Sequence, residues 1–267
     1  MSKLLLPLVL LITSLTCFGF TLTYEEIEVL GQAATHEEIE VVRQAAERGH
    51  DKAQFKLGLM YNYGMGVLPK DYTESAKWIR KASEQGHVIA QFTLGSFYEK
   101  GNWGVPHDNT EAAKWYLKAA EQGLAIAQFN LGVMYNSGEG VPKDDTKAAK
   151  WLRKAAEQGH GIAQFNLGHM YDNGWGVPQD DTEAAKWHHK AAEQGHVYSQ
   201  FNLGVAYLNG KGVPQDNVLA YMWWNLSAAR GHEESKINKG IVSEKMTKEQ
   251  IAEAQKLSRE WMANRQD

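Results

Sequence analysis

Residues 127–159 read AQFNLGVMYNSGEGVPKDDTKAAKWLRKAAEQG, and related copies of this segment recur along the chain. Five copies share the opening pattern Ala/Ser-Gln-Phe, and they begin at Ala53, Ala90, Ala127, Ala163 and Ser199. Successive copies therefore start 37, 37, 36 and 36 residues apart. A regular period of this length predicts a solenoid of stacked supersecondary units, in which each copy covers the hydrophobic face of its neighbour.

The first part of the 127–159 copy predicts a helix that ends in a glycine-rich loop. Leu131 and Tyr135 are four residues apart, so they lie on one helix face. Gly138 suits the C-terminal cap, and Pro142 prevents the helix from continuing. Gly132 costs about 1 kcal/mol in helix propensity. Because this glycine recurs in every copy, we expect it to allow two helices to approach closely.

The second part of each copy predicts another helix, which begins after a recurring aspartate. Asp71, Asp108 and Asp180 are each followed three residues later by Glu, the pattern of a capping box. Asp144 and Asp216 keep the aspartate without that glutamate. One tryptophan recurs in each second helix, and we expect these five indoles to form the core: Trp78, Trp115, Trp151, Trp187 and Trp223.

The two ends of the array have the sequence features of caps. We predict an N-terminal partial repeat or cap over residues 20–52, with a capping box at Thr35 and Glu38. A C-terminal partial repeat and capping helix is predicted over residues 235–267, starting its last helix at Thr247. The five repeats between them, residues 53–234, are predicted at 53–89, 90–126, 127–162, 163–198 and 199–234.

The N-terminus has the composition of a secretory signal peptide. Lys3 supplies a positive start, and an apolar run of about twelve residues follows, too short to span a bilayer. We predict a signal peptide over residues 1–19 with cleavage after Gly19, and a periplasmic or secreted protein. Lipidation at Cys17 and a retained membrane anchor are the alternatives.

Composition excludes several classes of protein. The chain has 28 Lys and Arg against 32 Asp and Glu, a net charge of −4, which argues against a general nucleic-acid binder. The single Cys excludes a disulfide scaffold and a zinc site built from cysteines within one chain. Recurrent acidic residues are explained by helix capping, and no catalytic set stands out.

Histidine follows a helix-ending glycine in most copies. We interpret these imidazoles as favourable partners for the negative end of a helix dipole, partly packed on the next unit. The alternative is a row of metal ligands, but packed helices lie about 10 Å apart, too far to share one tetrahedral ion. We therefore predict neither a metal nor a cofactor. The histidines concerned are His50, His87, His160, His196 and His232.

The repeated pattern, intact from Ala127 through Gly159, resembles the Sel-1-like repeat, a relative of the tetratricopeptide repeat. The resemblance implies an all-α fold, an α/α superhelical solenoid of Sel-1-like/tetratricopeptide-like helix pairs that holds partners on a curved surface. Bacterial members of such families are often exported and serve as adaptors or host-contact factors. A cysteine-rich branch includes members described as penicillin-binding or β-lactamase-like. This sequence departs from that branch because no repeat contains Cys.

The residues that vary between copies indicate a binding surface. On the first helices, positions with i, i+3 and i+7 spacing form one stripe per helix, which we expect to line the concave side. Asn side chains there can hydrogen-bond an extended peptide backbone or a terminal carboxylate, while the alternative is that they are merely solvated. Two loop tryptophans without counterparts form a second candidate patch. The candidate residues are Lys56, Thr93, Asn130, Asn166, Asn202, His169, Tyr63, Asn173, Trp103 and Trp175.

The sequence therefore predicts an exported, non-enzymatic scaffold or adaptor with a protein or peptide partner. We expect no nucleic acid, no stable membrane insertion after signal cleavage, and a monomer. Two other hypotheses stay open. One is an enzyme that acts on lactams or cell-wall ligands, and the other is a purely structural role in envelope integrity.

Overall fold

The computed structural model describes residues 35–101 and 103–264, and this part of the chain is helical without any strand. The signal peptide predicted over residues 1–19 lies outside the described residues. The helices are α1 His36–Glu47, α2 Asp51–Tyr63, α3 Tyr72–Glu84, α4 Val88–Lys100, α5 Asn109–Glu121, α6 Ala125–Ser137, α7 Asp145–Glu157, α8 Gly161–Asn173, α9 Asp181–Glu193, α10 Val197–Asn209, α11 Asn217–Ala229, α12 Glu233–Ser243 and α13 Lys248–Ala263.

The helices pack in chain order within two compact units. Among the described residues, the first unit extends to Asn130 and includes Glu139–Val141, and the second comprises Leu131–Gly138 and the residues from Pro142 onward. In the first unit each helix from α1 to α5 packs on the next, and in the second unit the same holds from α7 to α12, with α13 packed on α11. The predicted all-α solenoid of helix pairs is confirmed.

The five recurring tryptophans lie in the core, as predicted. Their exposed fractions are between 2% and 8%. A lysine one turn later covers the outer edge of most of these rings; Lys118 Nζ, for example, lies 4.1 Å from the Trp115 ring centroid. The second helices α3, α5, α7 and α9 therefore bury one face and carry ammonium groups over the tryptophan ring.

The recurring mid-helix glycines allow two helices to pack closely against each other, which confirms the prediction made from their recurrence in every copy. A Cβ at Gly204 would lie 2.3 Å from Nε1 of Trp224, and one at Gly168 would lie 2.9 Å from Cε1 of His188. The residue that follows the core tryptophan thus packs directly on the glycine of the first helix. Any side chain at these glycines would push the two helices apart.

The aspartate caps form, but the capping boxes predicted inside the array are wrong. Asp108 accepts hydrogen bonds from the backbone N–H groups of Thr110 and Glu111. Its own N–H donates to the Tyr98 carbonyl oxygen, at 2.9 Å, so it is not available to the glutamate. Glu111 instead pairs with Lys114, at 2.6 Å. Asp71 and Asp180 follow the same pattern.

Complete capping boxes occur at the two ends of the described array. Thr35 with Glu38 opens α1, and Thr247 with Gln250 opens α13. At both sites the cap N–H donates to the side chain of the third helical residue, Glu38 or Gln250. These two predictions are confirmed.

Four of the five recurring histidines cap the following helix with their side chains rather than the preceding one, so the dipole interpretation is wrong for these four, while the side chain of His50 makes no cap hydrogen bond. Nδ1 of His87, His160, His196 and His232 accepts the backbone N–H three residues later. The ring must be neutral at Nδ1 to accept this bond, and the positive end of the helix dipole favours that form. Burial lowers the pKa of His160 and of His196.

A ladder of glutamines ties successive repeats together, and the sequence analysis missed it. In the first unit, buried Gln91 donates to the Ser83 carbonyl of the preceding repeat. Gln122, in the same repeat as Gln91, donates to Oε1 of Gln91 at 2.8 Å and to the Gly86 carbonyl of the preceding repeat at 3.1 Å. The second unit repeats the arrangement, with Gln194 donating to Gln164 at 2.8 Å. Side chains that bridge repeats in this way make each unit depend on its neighbour.

Candidate functional site

The structure divides the predicted binding stripe into exposed and buried members. Lys56, Asn130, Asn166 and Asn202 occupy equivalent positions on first helices and are partly exposed. Thr93, the fifth member, has only 5% of its surface exposed, and its hydroxyl donates to the Ile89 carbonyl at 2.7 Å. The prediction that Thr93 contacts a partner is therefore wrong, because the side chain faces its own helix.

The stripe residues nearest the C-terminal ends of the first helices are largely engaged by neighbouring groups. Asn173 is exposed, but its Nδ2 donates to the His169 carbonyl of the same helix at 2.8 Å. Tyr63 is half-buried, and burial raises the pKa of its hydroxyl. These two side chains are less available to a partner than the sequence pattern indicates.

The two loop tryptophans have different environments. Trp103 stacks on Phe97, with ring centroids 5.6 Å apart, and meets the Tyr72 ring edge-on. These rings of its own unit cover part of Trp103, which stays partly exposed, and its binding role remains a prediction. Trp175 has 47% of its surface exposed and packs edge-on against His169 at 5.1 Å.

Three predicted residues, Asn166, His169 and Trp175, lie together in one groove of the second unit, between α6, α7 and α8. We call it the apolar groove; its volume is about 210 Å³. Its lining residues are Val133, Asn136, Leu152, Phe165, Asn166, His169, Met170 and Trp175. The sequence pattern thus identified three of eight side chains here.

A second groove lies one repeat further on, between α8, α9 and α10, and we call it the polar groove. Its volume is about 220 Å³. Its lining residues are Asp172, Asp181, Ala185, His188, Asn202, Val205, Ala206 and Lys211. Most of these positions are 36 residues after a residue of the apolar groove, so the two grooves are equivalent surfaces with different chemistry.

A buried histidine forms the floor of the polar groove. His188 is 3% exposed, and its Nε2 lies 2.9 Å from Oδ2 of Asp172 and 3.2 Å from Nδ2 of Asn202. Nδ1 of His188 is buried beside Gly168 and has no hydrogen-bond partner in the described chain. The sequence analysis set aside His188; the available signal was a polar residue at a position that other repeats fill with Leu152 or Trp224.

The second repeat carries a related polar pair in the first unit. Tyr116 occupies the position equivalent to His188, and its hydroxyl donates to Oε2 of Glu99 at 2.7 Å. Burial first, and the Glu99 charge second, raise the pKa of Tyr116 well above its usual value. Asn130 hydrogen-bonds the same hydroxyl, as Asn202 does the histidine. A core polar group held by a carboxylate and an Asn therefore occurs twice.

Exposed apolar side chains surround the apolar groove, and the sequence analysis did not identify them. Tyr198 is 58% exposed and Ile162 is 50% exposed. The Tyr198 ring lies 6.2 Å from that of Phe165, which in turn lies 6.3 Å from His169. The aromatic contacts therefore continue from Trp175 through His169 and Phe165 to Tyr198.

The arrangement of titratable side chains and the apolarity of the helices bear on the class of site. Within residues 35–101 and 103–264, no group of three or more His, Cys, Asp or Glu side chains is arranged to hold a metal ion. In the same part of the chain, no helix combines the length and apolarity that crossing a bilayer requires.

Comparison with solved structures identifies relatives of the same architecture. A protective antigen of uropathogenic Escherichia coli strains, described as displaying an SLR fold, is 43% identical, with a TM-score of 0.69 over 75% of this chain and 43% of that chain. A Sel1 repeat protein from Oxalobacter formigenes is 36% identical, with a TM-score of 0.61 over 74% of this chain and 57% of that chain. The chain thus spans about half the length of these relatives.

The family model assigns the repeats directly. The Sel1 repeat model matches residues 51–87, 88–124, 125–160, 161–196 and 197–232. A comparison with curated proteins returned no match. Sel1 repeat proteins generally act in protein–protein interaction. The chain belongs to the Sel1 repeat family.

Proposed function

We propose that this protein is an exported, non-catalytic scaffold that binds a peptide or protein partner on the face formed by the first helix of each repeat. That face is the concave side expected of a solenoid. The observation that carries the proposal is the run of ring contacts from Trp175 through His169 and Phe165 to Tyr198, with Trp175, Tyr198 and Ile162 exposed on this face. Solvent-facing apolar side chains that contact one another favour an interaction surface over ordinary scattered exposure.

The exposed indole of Trp175 is not required by the repeat. Trp175, Ile162 and Tyr198 each keep about half of their surface in water, and Trp175 has Glu139 and Lys211 at the equivalent positions of neighbouring repeats. A side chain that the fold does not need, and that is unfavourable in water, is explained by a partner that covers it.

The polar groove supports binding rather than catalysis. His188 is held by a carboxylate and an amide, and no Ser, Thr or Cys occurs among the eight residues that line this groove. A histidine–aspartate pair without a nucleophile lacks the reacting member of the usual hydrolytic constellation. Purified protein is expected to leave the lactam nitrocefin intact. Turnover that a His188→Ala substitution abolishes would instead support the enzyme hypothesis.

Export is supported by the charged start and apolar run of the N-terminus. Expression with a C-terminal tag, cell fractionation and mass spectrometry of the mature chain test it. We expect a periplasmic or secreted protein that begins at Phe20. A full-length chain in the cytoplasm would contradict this part of the proposal.

Photocrosslinking in intact cells tests the binding face itself. A photoreactive amino acid is placed at Ile162 or Tyr198 on the first-helix face, and at exposed Lys150 on α7 as the matched control. We expect a defined adduct from positions 162 and 198 and none from position 150. Adducts that form equally from all three, or only from position 150, would contradict the proposed face.

A further inference from the structure

We propose that the apolar groove takes one uncharged apolar side chain of an extended peptide segment in a partner protein, and that Asn166 hydrogen-bonds the backbone beside it. This inference rests on the proposed scaffold function and assigns the chemistry of the partner to one place. The neighbouring polar groove then contacts a different part of the same partner.

The lining of the apolar groove excludes a charged occupant. Five of its eight side chains are apolar, two are neutral amides and one is His169. No Asp, Glu, Lys or Arg is among the eight, whereas the polar groove has Asp172, Asp181 and Lys211 at its wall. An ammonium or carboxylate group entering the apolar groove would lose hydration without gaining an opposite charge. Charge complementarity therefore selects an uncharged side chain.

Trp175 provides the contact area for that side chain. Its ring is fixed edge-on against His169, yet 47% of the residue stays exposed. A tryptophan offers a large rigid apolar face at small cost in conformational entropy, which is why it is frequent at the centre of binding sites. Covering this face with an aliphatic or aromatic group removes apolar surface from water on both partners.

Asn166 provides the polar contact. Asn130 and Asn202, at the equivalent positions, hydrogen-bond Tyr116 and His188 within their own units. The side-chain amide of Asn166 has no hydrogen-bond partner among residues 35–101 and 103–264. It presents one carbonyl and one NH₂ group, which match the N–H and C=O of a single backbone peptide group. The combination of free amide and apolar wall suits an extended segment rather than a helix, whose backbone is already paired.

The test uses blocked single-residue probes and fluorine NMR of full-length protein labelled with 5-fluorotryptophan. The Trp175 resonance is assigned from the Trp175→Phe variant. N-acetyl methylamides of Phe and Leu are expected to shift this resonance with a dissociation constant on the order of 1 mM, the affinity of a small fragment. The methylamides of Asp and Lys are expected to bind at least tenfold more weakly.

Two matched variants test whether the Asn166 amide contributes to binding of the probes. Asn166→Ala is expected to weaken the Phe and Leu probes about tenfold, which is the effect of one hydrogen bond in a partly exposed site. Asn202→Ala, at the equivalent position of the polar groove, is expected to leave both affinities within twofold. Equal shifts with all four probes, no shift with any, or an equal loss in both variants would overturn the inference.

Other occupants of the groove give distinct results. A second copy of the chain would make the Trp175 resonance and the sedimentation coefficient depend on protein concentration before any probe is added. Residues 20–34 of the same chain would be implicated if deleting them shifted the resonance. Either result overturns the inference. If position 162 crosslinks a partner that still binds the Trp175→Ala and Asn166→Ala variants with full affinity, the scaffold function stands and only this groove assignment fails.

Discussion

The apolar groove and the polar groove are the same surface of two neighbouring repeats, built on the same backbone with different side chains. Leu152 and Trp175 in one correspond to His188 and Lys211 in the other. The core tryptophans beside them, Trp151 and Trp187, are buried in both cases. The comparison shows that one set of residues, the core tryptophans, holds the array together, while a different set gives each groove its chemistry.

The two grooves also differ in what their equivalent core residues, Leu152 and His188, contribute to the folding free energy. Leu152 fills the space beside Gly132 with apolar atoms. His188 fills the same space beside Gly168 with a ring whose Nδ1 has no hydrogen-bond partner among the residues that the structure describes. A buried polar atom without a partner costs about 1–3 kcal/mol. The polar chemistry of the second groove is therefore maintained against a local loss of folding free energy.

The largest expected effect comes from removing what the two grooves share. Trp151→Ala should lower the free energy of unfolding by about 3–5 kcal/mol, because it opens a large cavity between stacked helices. Urea unfolding followed by circular dichroism measures it. Trp175→Ala is the control and should cost less than about 0.5 kcal/mol, since that ring is half exposed. Similar losses in the two variants would contradict the distinction between core and groove.

The next largest loss of folding stability is expected when a residue of the polar groove is introduced into the apolar groove. Leu152→His would bury an imidazole where the equivalent of Asp172 is Asn136, whose amide already donates to Asp145. We expect a loss of about 2–4 kcal/mol in urea unfolding. Adding Asn136→Asp should restore part of this loss. A double variant no more stable than the single one would show that the pair in the natural polar groove is held by something else.

The reverse change should stabilise the chain. His188→Leu removes the unpaired Nδ1, and the Asp172 carboxylate it leaves behind keeps 39% of its surface in water. We expect a gain of about 1 kcal/mol in the free energy of unfolding. His188→Gln, which keeps a polar group at the same place, should give no such gain. A loss of stability in the leucine variant would mean that the histidine–aspartate pair is a net stabiliser.

The smallest expected effect is a change of folding stability with pH, which comes from two histidines at the start of helices beside the grooves. Burial lowers the pKa of His160 and His196, so the folded state binds fewer protons than the unfolded state between the lowered values and about 6.5. This stability is complete above about pH 6.5 and is lost as pH falls towards the folded-state pKa. We expect less than about 1 kcal/mol per histidine, since both rings keep solvent contact.

Thermal unfolding between pH 7.5 and 5 measures this effect. The His160→Asn and His196→Asn variants keep a capping side chain but do not titrate, so their stability should fall less over this range. A variant that loses as much stability as the natural chain would assign the pH dependence to other groups.

The fold and its ends were predictable from sequence because they depend on repetition. Five copies of Trp, Gly and Asp at fixed spacing require the same local geometry each time. The caps at Thr35 and Thr247 depend only on a residue three positions further along the chain. At Asp108 the side chain caps the helix but the second hydrogen bond of a capping box does not form, and the sequence could not predict this. The Asp108 N–H instead donates to the carbonyl of Tyr98, ten residues earlier. That contact exists only after the two helices have packed.

The candidate site was predictable in part. A stripe with i, i+3, i+7 spacing located Asn166 and His169, but it placed Thr93 on the surface because spacing alone does not reveal which neighbour covers a side chain. His188 was missed for the complementary reason. A polar residue at a core position shows its role only when Asp172 and Asn202, 16 residues before and 14 after it, are seen at its Nε2 atom.

Amide hydrogen exchange of the chain alone and with its crosslinked partner, recovered and purified, tests the central claim most directly. The account predicts slowed exchange in the first helices α6, α8 and α10 and in the loop that carries Trp175, with a smaller effect or none in the second helices α7, α9 and α11. Protection confined to the second helices, around Lys150 and Lys190, would place the partner on the opposite face and contradict the account.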